Sequence, residues 1–171
     1  MSWKILLIIM LLCALYIYSY YRSPKHTQVV QSHIRMFKPE LLLEKQPVII
    51  DDNDFNIDSL QSLYFKMNPS KHFILEQNDI WCRNKYKYLL MQSTTGPCDI
   101  LLCNPNHVDS SKNIPFESES EPESESESSN IVEIQLSEGQ ILIVPFNWIY
   151  LIIDSKVDCI GIHDYITYLL P

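Results

Sequence analysis

The chain has 171 residues, 46% of them apolar, and a formal net charge of −8. That is enough length and apolar content for one domain with a real core plus an accessory segment. The charge is unevenly held: of the 21 acidic residues, six fall in the run 117–127, and the remaining 15 face 13 bases, a near-neutral body that gives no electrostatic reason to expect nucleic acid as a partner.

Three glycines against ten tyrosines favour strands over flexible loops. The five cysteines (Cys13, Cys82, Cys98, Cys103, Cys159) are odd in number and lack Cys-x-x-Cys spacing. Buried thiols in a reducing compartment are therefore expected, rather than a disulfide framework or a zinc site.

After a short tail, residues 1–4, the stretch 5–21 reads ILLIIMLLCALYIYSYY, with no charge, Gly or Pro. As a helix it reaches about 25 Å, near the short end for a bilayer span. Trp3 precedes it and Tyr16, Tyr18, Tyr20 and Tyr21 crowd its far end, as interfacial aromatic belts do. A cleaved signal peptide with Lys4 as its basic start is the competing reading. Bulky tyrosines stand where small cleavage-site residues belong, so an uncleaved single-pass transmembrane helix in a lipid bilayer is expected.

Lys4 is the only base before this span, whereas Arg22, Lys25, Arg35 and Lys38 follow it. The positive-inside rule then places the C-terminal body in the cytosol. Two features agree with that side. The thiols look unpaired, and the one sequon-like triplet, Asn68-Pro69-Ser70, is blocked by its proline. Residues 22–38 read as a basic connector that either extends the helix past Pro24 or forms a short one. It contacts anionic headgroups or serves as a plain spacer.

Residues 39–171 read as a β domain. EKQPVII, 44–50, is a buried first strand entered through a proline. Asp51-Asp52-Asn53-Asp54 lacks the glycine and final glutamate of a calcium loop; a turn with Asp or Asn capping a helix over 57–63 is expected. Strands follow at 72–77, 86–92 and 99–103, separated by turns at 68–70 and 94–97 and closed by Asn104-Pro105-Asn106.

A long loop is expected over 104–130. Its second half, 117–129, is ESESEPESESESS. It has no apolar surface to offset its ordering entropy, so disorder is expected. Ser118, Ser120 and Ser124 each have Glu at +1 and +3, the pattern of acid-directed kinases, and phosphorylation would deepen the charge. The segment is either a surface for a protein partner or a solubilising insertion.

The stretch 131–153, IVEIQLSEGQILIVPFNWIYLII, organises the domain. Val132, Ile134 and Leu136 alternate with Glu133 and Gln135, the mark of a half-buried strand. Ser137-Glu138-Gly139-Gln140 is a turn. Residues 141–144 are apolar without interruption, so both faces of that strand are expected to be covered. Pro145 ends it or puts it at an edge, and 148–153 resumes as strand. Residues 157–162 form another strand, and 165–170 a last strand or short helix. Seven or eight short strands with little helix suggest a sandwich or barrel.

This order of motifs resembles the cupin-like, JmjC-type family. Pro47-Val48-Ile49-Ile50 resembles its opening strand, and Asp99-Ile100-Leu101-Leu102-Cys103-Asn104-Pro105 resembles its strand ending in a proline loop. The stretch from Ser137 to Tyr150 looks like the family's turn, strand, proline and Trp-Trp-His. The resemblance covers most of residues 47–163 and implies a small double-stranded β-helix (jelly-roll) barrel behind the transmembrane helix. Membrane-tethered, reduced versions in large DNA viruses would look similar.

Active members are Fe(II) and 2-oxoglutarate oxygenases with an HxD…H triad. Carried over, the distal histidine falls on Tyr150 and the HxD near Arg83-Asn84-Lys85, so the triad is not matched and no metal or cofactor is expected. If the barrel mouth still binds a ligand, Arg83, Lys85, Tyr150 and Trp148 would line it, and an anion would suit them. Alternatively Arg83 and Lys85 are simply solvated outside a filled barrel. A rival placement of the triad uses His107, Asp109 and His163, and would restore Fe(II), 2-oxoglutarate and catalysis. Three functions follow as expectations: a non-catalytic membrane-anchored binding or structural protein, an active oxygenase, or a membrane adaptor working through 117–129.

Overall fold

The uncharged N-terminal stretch forms one helix, α1 (Trp3–Tyr21), whose residues are exposed apart from Tyr20. In a computed structural model of the chain, which describes residues 3–52, 55–77, 80–94, 96–109, 114–115, 131–153, 156–164 and 167–168, α1 is long and apolar enough to cross a membrane. A helix with an exposed apolar surface all round lacks the two-sided pattern of a soluble surface helix.

The remainder is mainly β. In chain order the strands begin with β1 (Val30–His33) and β2 (Val48–Asp51), then α2 (Ile57–Tyr64) intervenes. Next come β3 (Ser70–Leu75), β4 (Cys82–Arg83), β5 (Tyr88–Ser93) and β6 (Cys98–Cys103). A small hairpin of β7 (Val108–Asp109) and β8 (Ile114–Pro115) follows. The series ends with β9 (Ile131–Leu136), β10 (Gln140–Pro145), β11 (Ile149–Ile152) and β12 (Val157–Ile162). Two sheets result. One has the order β1-β2-β10-β5-β12-β3, the other β4-β11-β6-β9. All of their pairings are antiparallel except β1 with β2.

The two sheets face each other across one apolar core. Leu89, Met91, Leu142, Val144, Val157 and Cys159 come from the larger sheet, and Cys98, Ile100, Leu102, Ile134, Leu136, Tyr150 and Ile152 from the smaller, with Trp148 between them. A second cluster covers the outer face of the larger sheet. There Val48, Ile50, Leu90, Ile141, Ile143, Ile160 and Ile162 pack beneath Ile57 and Leu60 of α2, and beneath Phe37, Leu42 and Phe65. This explains the uninterrupted apolar run of β10: Leu142 and Val144 serve one cluster, Ile141 and Ile143 the other. Each such buried side chain contributes about 1.5–3 kcal/mol relative to exposure.

Local chemistry matches the expected caps and corners. Asn56 starts α2, its Oδ1 accepting from Ser59 N at 2.8 Å. β10 ends at Pro145, and the chain changes sheet through Phe146 and Asn147, where Asn147 takes φ +71°, a conformation asparagine tolerates. Asn84, buried, staples this corner. Its Nδ2 donates to Val144 O and Pro145 O at 2.9 and 2.8 Å, and its Oδ1 accepts from Tyr86 N at 2.9 Å.

Four expectations need correction. The connector over 22–38 is not a spacer alone: Val30–His33 adds a parallel edge strand beside β2. Parallel pairing has no hairpin signal, and its partner is not a sequence neighbour. The loop over 104–130 begins with a 3-10 turn (Pro105–His107) and holds β7 and β8, while 117–129, with Ser118, Ser120 and Ser124, lies outside the described residues. The strand expected over 86–92 starts at Tyr88, because the Tyr86 amide is bound to Asn84 and its ring turns across Gly161. Of 165–170, Thr167 and Tyr168 lie in a turn after Asp164, and the others lie outside the described residues.

Gly161 makes room for the Tyr86 ring. A Cβ there would stand 2.6 Å from Tyr86 Cγ and closer to two other ring carbons. Gly161→Ala is therefore expected to destabilise the fold by about 1–3 kcal/mol, measured by thermal or denaturant unfolding. Adding Tyr86→Ala should recover part of the Gly161→Ala loss. A wild-type transition for Gly161→Ala alone would contradict this packing.

Candidate functional site

Two places in the described structure gather polar groups: the corner where β4 meets β11, and the junction between α1 and the body.

At the corner, β11 carries Tyr150 and pairs with β4, Arg83 lying opposite Ile149 and Cys82 opposite Tyr150. Residues directly opposite share a face. Tyr150 belongs to the core between the sheets, and Ile149 to the outer side with Cys103 and Trp81. Cys82 therefore faces inward and Arg83 outward, and alternation returns Asn84 inward. The expected HxD position at Arg83-Asn84-Lys85 thus shifts by one residue. The inward pair is Cys82 and Asn84, which a one-residue difference in phase is enough to reverse.

The four residues expected at a barrel mouth are not brought together there. Trp148 and Tyr150 are buried in the core, with Trp148 Nε1 donating to Lys45 O at 2.9 Å. Arg83 Nη1 donates to Asn147 Oδ1 at 2.7 Å, and Lys85 is exposed. A thiol, an amide and a phenol face inward where the resembled oxygenases have two imidazoles and a carboxylate. The amide is already committed to three backbone groups. Burial raises the Tyr150 phenol, with Cys82, Cys159 and Tyr86 adding to it, so this phenol is no anionic ligand at neutral pH. This donor set does not fit a ferrous ion.

Of the rival triad, His107 and His163 have described side chains. His107 closes the 3-10 turn after β6, and the Asp109 side chain lies outside the described residues. His163 packs against Tyr86 at 4.7 Å and Tyr168 at 5.8 Å between ring centres, and its Nδ1 is buried without a hydrogen-bond partner among the described residues. No group of three His, Cys, Asp or Glu side chains suited to a metal converges among the described residues.

The junction is built around Asp164, just past β12. Tyr16 and Tyr20, one helical turn apart on α1, both donate their hydroxyls to Asp164 Oδ2, Tyr16 at 2.6 Å. Lys87 Nζ stands 3.4 Å from the same oxygen. Thr167 N and Oγ1 donate to Oδ1 at 2.8 and 3.0 Å. Burial alone would raise this carboxyl, but the hydrogen bonds from Thr167, Tyr16 and Tyr20 and the charge of Lys87 outweigh it and hold the group well below the usual carboxylate range. Around it, Phe146 meets Tyr20 and Tyr21 edge-on at 5.5 and 6.0 Å.

The chain leaving α1 is stitched to the same end of the body. Lys45 Nζ donates to Arg22 O at 2.9 Å, Asn104 and Asn106 side chains both donate to Pro24 O at 3.0 Å, and Gln46 Nε2 donates to His26 O at 2.6 Å. A cavity of about 160 Å³ opens beside this seam. Sequence reasoning placed Tyr16 and Tyr20 in an aromatic belt and missed their partner. Their four-residue spacing puts both hydroxyls on one helix face, which is the only signal the sequence offers.

Comparisons with known proteins give a slight likeness. No protein-family profile and no curated protein matches the chain. Among solved structures it is similar to RmlC from Streptococcus suis in complex with dTDP-D-xylose, at 10% identity and a TM-score of 0.31, covering 70% of this chain and 62% of that one. The chain thus spans less than two thirds of that structure's length.

Asp164→Asn removes the charge that holds two tyrosines and a lysine. It is expected to cost about 2 kcal/mol in stability and to open the seam, seen as faster tryptic cleavage at the exposed Arg22 and Lys25. Because the folded-state pKa of Asp164 is depressed, its contribution is complete above the unfolded value of about 3.9 and is lost as pH falls through the folded one. Cleavage of the native chain should then be unchanged in its Asp164 dependence from neutral pH down to about 5. A seam that opened near pH 6 would assign the hold to another group.

Proposed function

We propose that the chain is a single-pass membrane protein whose body is a cupin-like β-sandwich with a binding or structural role, and that it does not carry the oxygenase chemistry of the family it resembles. The observation that carries this reading is the filled space between the sheets. Trp148, Tyr150, Met91, Leu142 and Leu102 occupy it, all of them buried. The iron-dependent oxygenation of the resembled family needs an open, polar interior with a metal at its centre; here the interior is packed apolar side chains, and the inward positions of β4 carry Cys82 and Asn84.

The thiols add to this. Burial pushes Cys103 up to about 11 and raises Cys159 further, with Asp158 contributing. Both stay protonated at neutral pH and are poor nucleophiles. The body's working surface is instead the end sewn to α1. With the body in the cytosol, as the basic residues after the span favour, that end faces the inner leaflet. An adaptor role through 117–129 is the second reading, supported by the segment's six glutamates and three candidate phosphorylation sites.

The test is metal and cosubstrate binding by the full-length protein, purified in detergent without oxygen and supplied with Fe²⁺. No stoichiometric iron and no 2-oxoglutarate binding is expected on a folded sample. Iron that binds one to one, and is lost in His107→Ala or His163→Ala, would replace this reading with an active oxygenase. A pull-down with 117–129 deleted separates the second reading: capture of a partner must be lost for the adaptor role to hold.

A further inference from the structure

The cavity at the junction is lined by groups of two kinds. Leu42, Leu43 and Phe146 give it an apolar wall, and Lys45, Lys87 and the Tyr20 hydroxyl a polar one. Leu43 is 76% exposed and adds apolar surface to the cavity lining. The cavity, at about 160 Å³, is well below the roughly 300–1,000 Å³ of sites for drug-sized molecules. It suits a headgroup or a chain segment rather than a whole cofactor.

Charge around it is lopsided. Lys87 is matched by Asp164. Lys45 Nζ is bound to the Arg22 backbone carbonyl, and among the described residues neither Lys45 nor Arg22 has an ion-pair partner. Burial and the neighbouring Arg22 charge together lower the Lys45 ammonium, so an anion placed there would relieve the repulsion. The location supplies the rest of the argument. The cavity adjoins the Tyr16–Tyr20 turn of α1, where the aromatic belt puts the bilayer surface.

We propose that this cavity binds the headgroup of an anionic phospholipid from the adjoining leaflet, its phosphate at Lys45 with the Arg22 charge beside the cavity, and its glycerol and first acyl carbons against Leu42, Leu43 and Phe146. The proposal rests on the membrane-anchored reading of α1. Lipid then joins anchor to body as a third component of the seam, and the body's posture depends on leaflet composition.

The experiment uses full-length protein in detergent, followed by native mass spectrometry and thermal unfolding. The probes are short-chain phosphatidylserine, short-chain phosphatidylcholine and inorganic phosphate. Phosphatidylserine is expected to be retained one to one and to raise Tm, with phosphatidylcholine and phosphate clearly weaker. Lys45→Asn and Arg22→Gln should each weaken phosphatidylserine binding about five-fold. Lys45 has φ +56°, which asparagine adopts readily, and Arg22 is exposed, so both variants are expected to fold.

Equal binding of the serine and choline lipids, phosphate as effective as phosphatidylserine, or undiminished binding by both variants would each overturn the proposal. Alkaline carbonate extraction of membranes separates the two levels of the argument. Protein that resists extraction yet ignores phosphatidylserine removes the lipid site and leaves the anchor. Protein that is extracted removes the anchor reading, and the lipid site with it.

Discussion

The structure depends on β10 being buried on both faces. It lies between β2 and β5 in the larger sheet, supplies Leu142 and Val144 to the inter-sheet core, and supplies Ile141 and Ile143 to the layer under α2. A strand with two apolar faces gains burial energy in either phase, so hydrophobicity alone does not choose its register. The choice is made at its end. Pro145 stops the ladder, Asn147 turns the chain, and Asn84 grips the two preceding carbonyls. A single neutral amide, fully bonded, fixes what about a dozen apolar contacts leave open.

The same end of the sandwich carries the charged device. Asp164 draws two hydroxyls of α1, one ammonium and the Thr167 amide to one carboxylate. A carboxylate with this many donors is a rigid joint, because losing any one donor leaves the charge partly buried and less well compensated. Phe146, directly after the Pro145 corner, packs on the helix, and its amide bonds to Lys87 O. Corner and joint are thus one unit, and the position of α1 is tied to the register of the central strand.

Much of the larger architecture was legible from the chain. The span of α1, the helix cap at Asn56, the strands at 131–136, 140–145 and 157–162, and the proline corner all follow from local patterns in period and turn chemistry. Three features were not legible, two for reasons of distance and one for shortness. Parallel pairing of β1 with β2 has no turn to announce it, and Val30-Gln31-Ser32-His33 has no apolar alternation to mark a strand. The inward set at β4 was off by one residue, because a strand of two residues is too short for its phase to be read. Asp164 gave no sign of its role: its partners Tyr16 and Tyr20 are nearly the whole chain away, and no local motif links them.

That separation has a consequence for biogenesis. Tyr20 and Asp164 are 144 positions apart, so every strand of both sheets is synthesised after the helix and before its clasp. α1 is complete while Asp164, to which two of its tyrosines donate, has yet to leave the ribosome. During that interval β2 waits with an open edge for β10, its antiparallel neighbour, to arrive. A premature stop after β12 would leave a sandwich able to close around its core, and still stitched to the chain after α1 through Lys45, Gln46, Asn104 and Asn106, yet without the carboxylate that Tyr16 and Tyr20 share. Translation itself therefore sets the order of assembly: helix first, sheets second, clasp last.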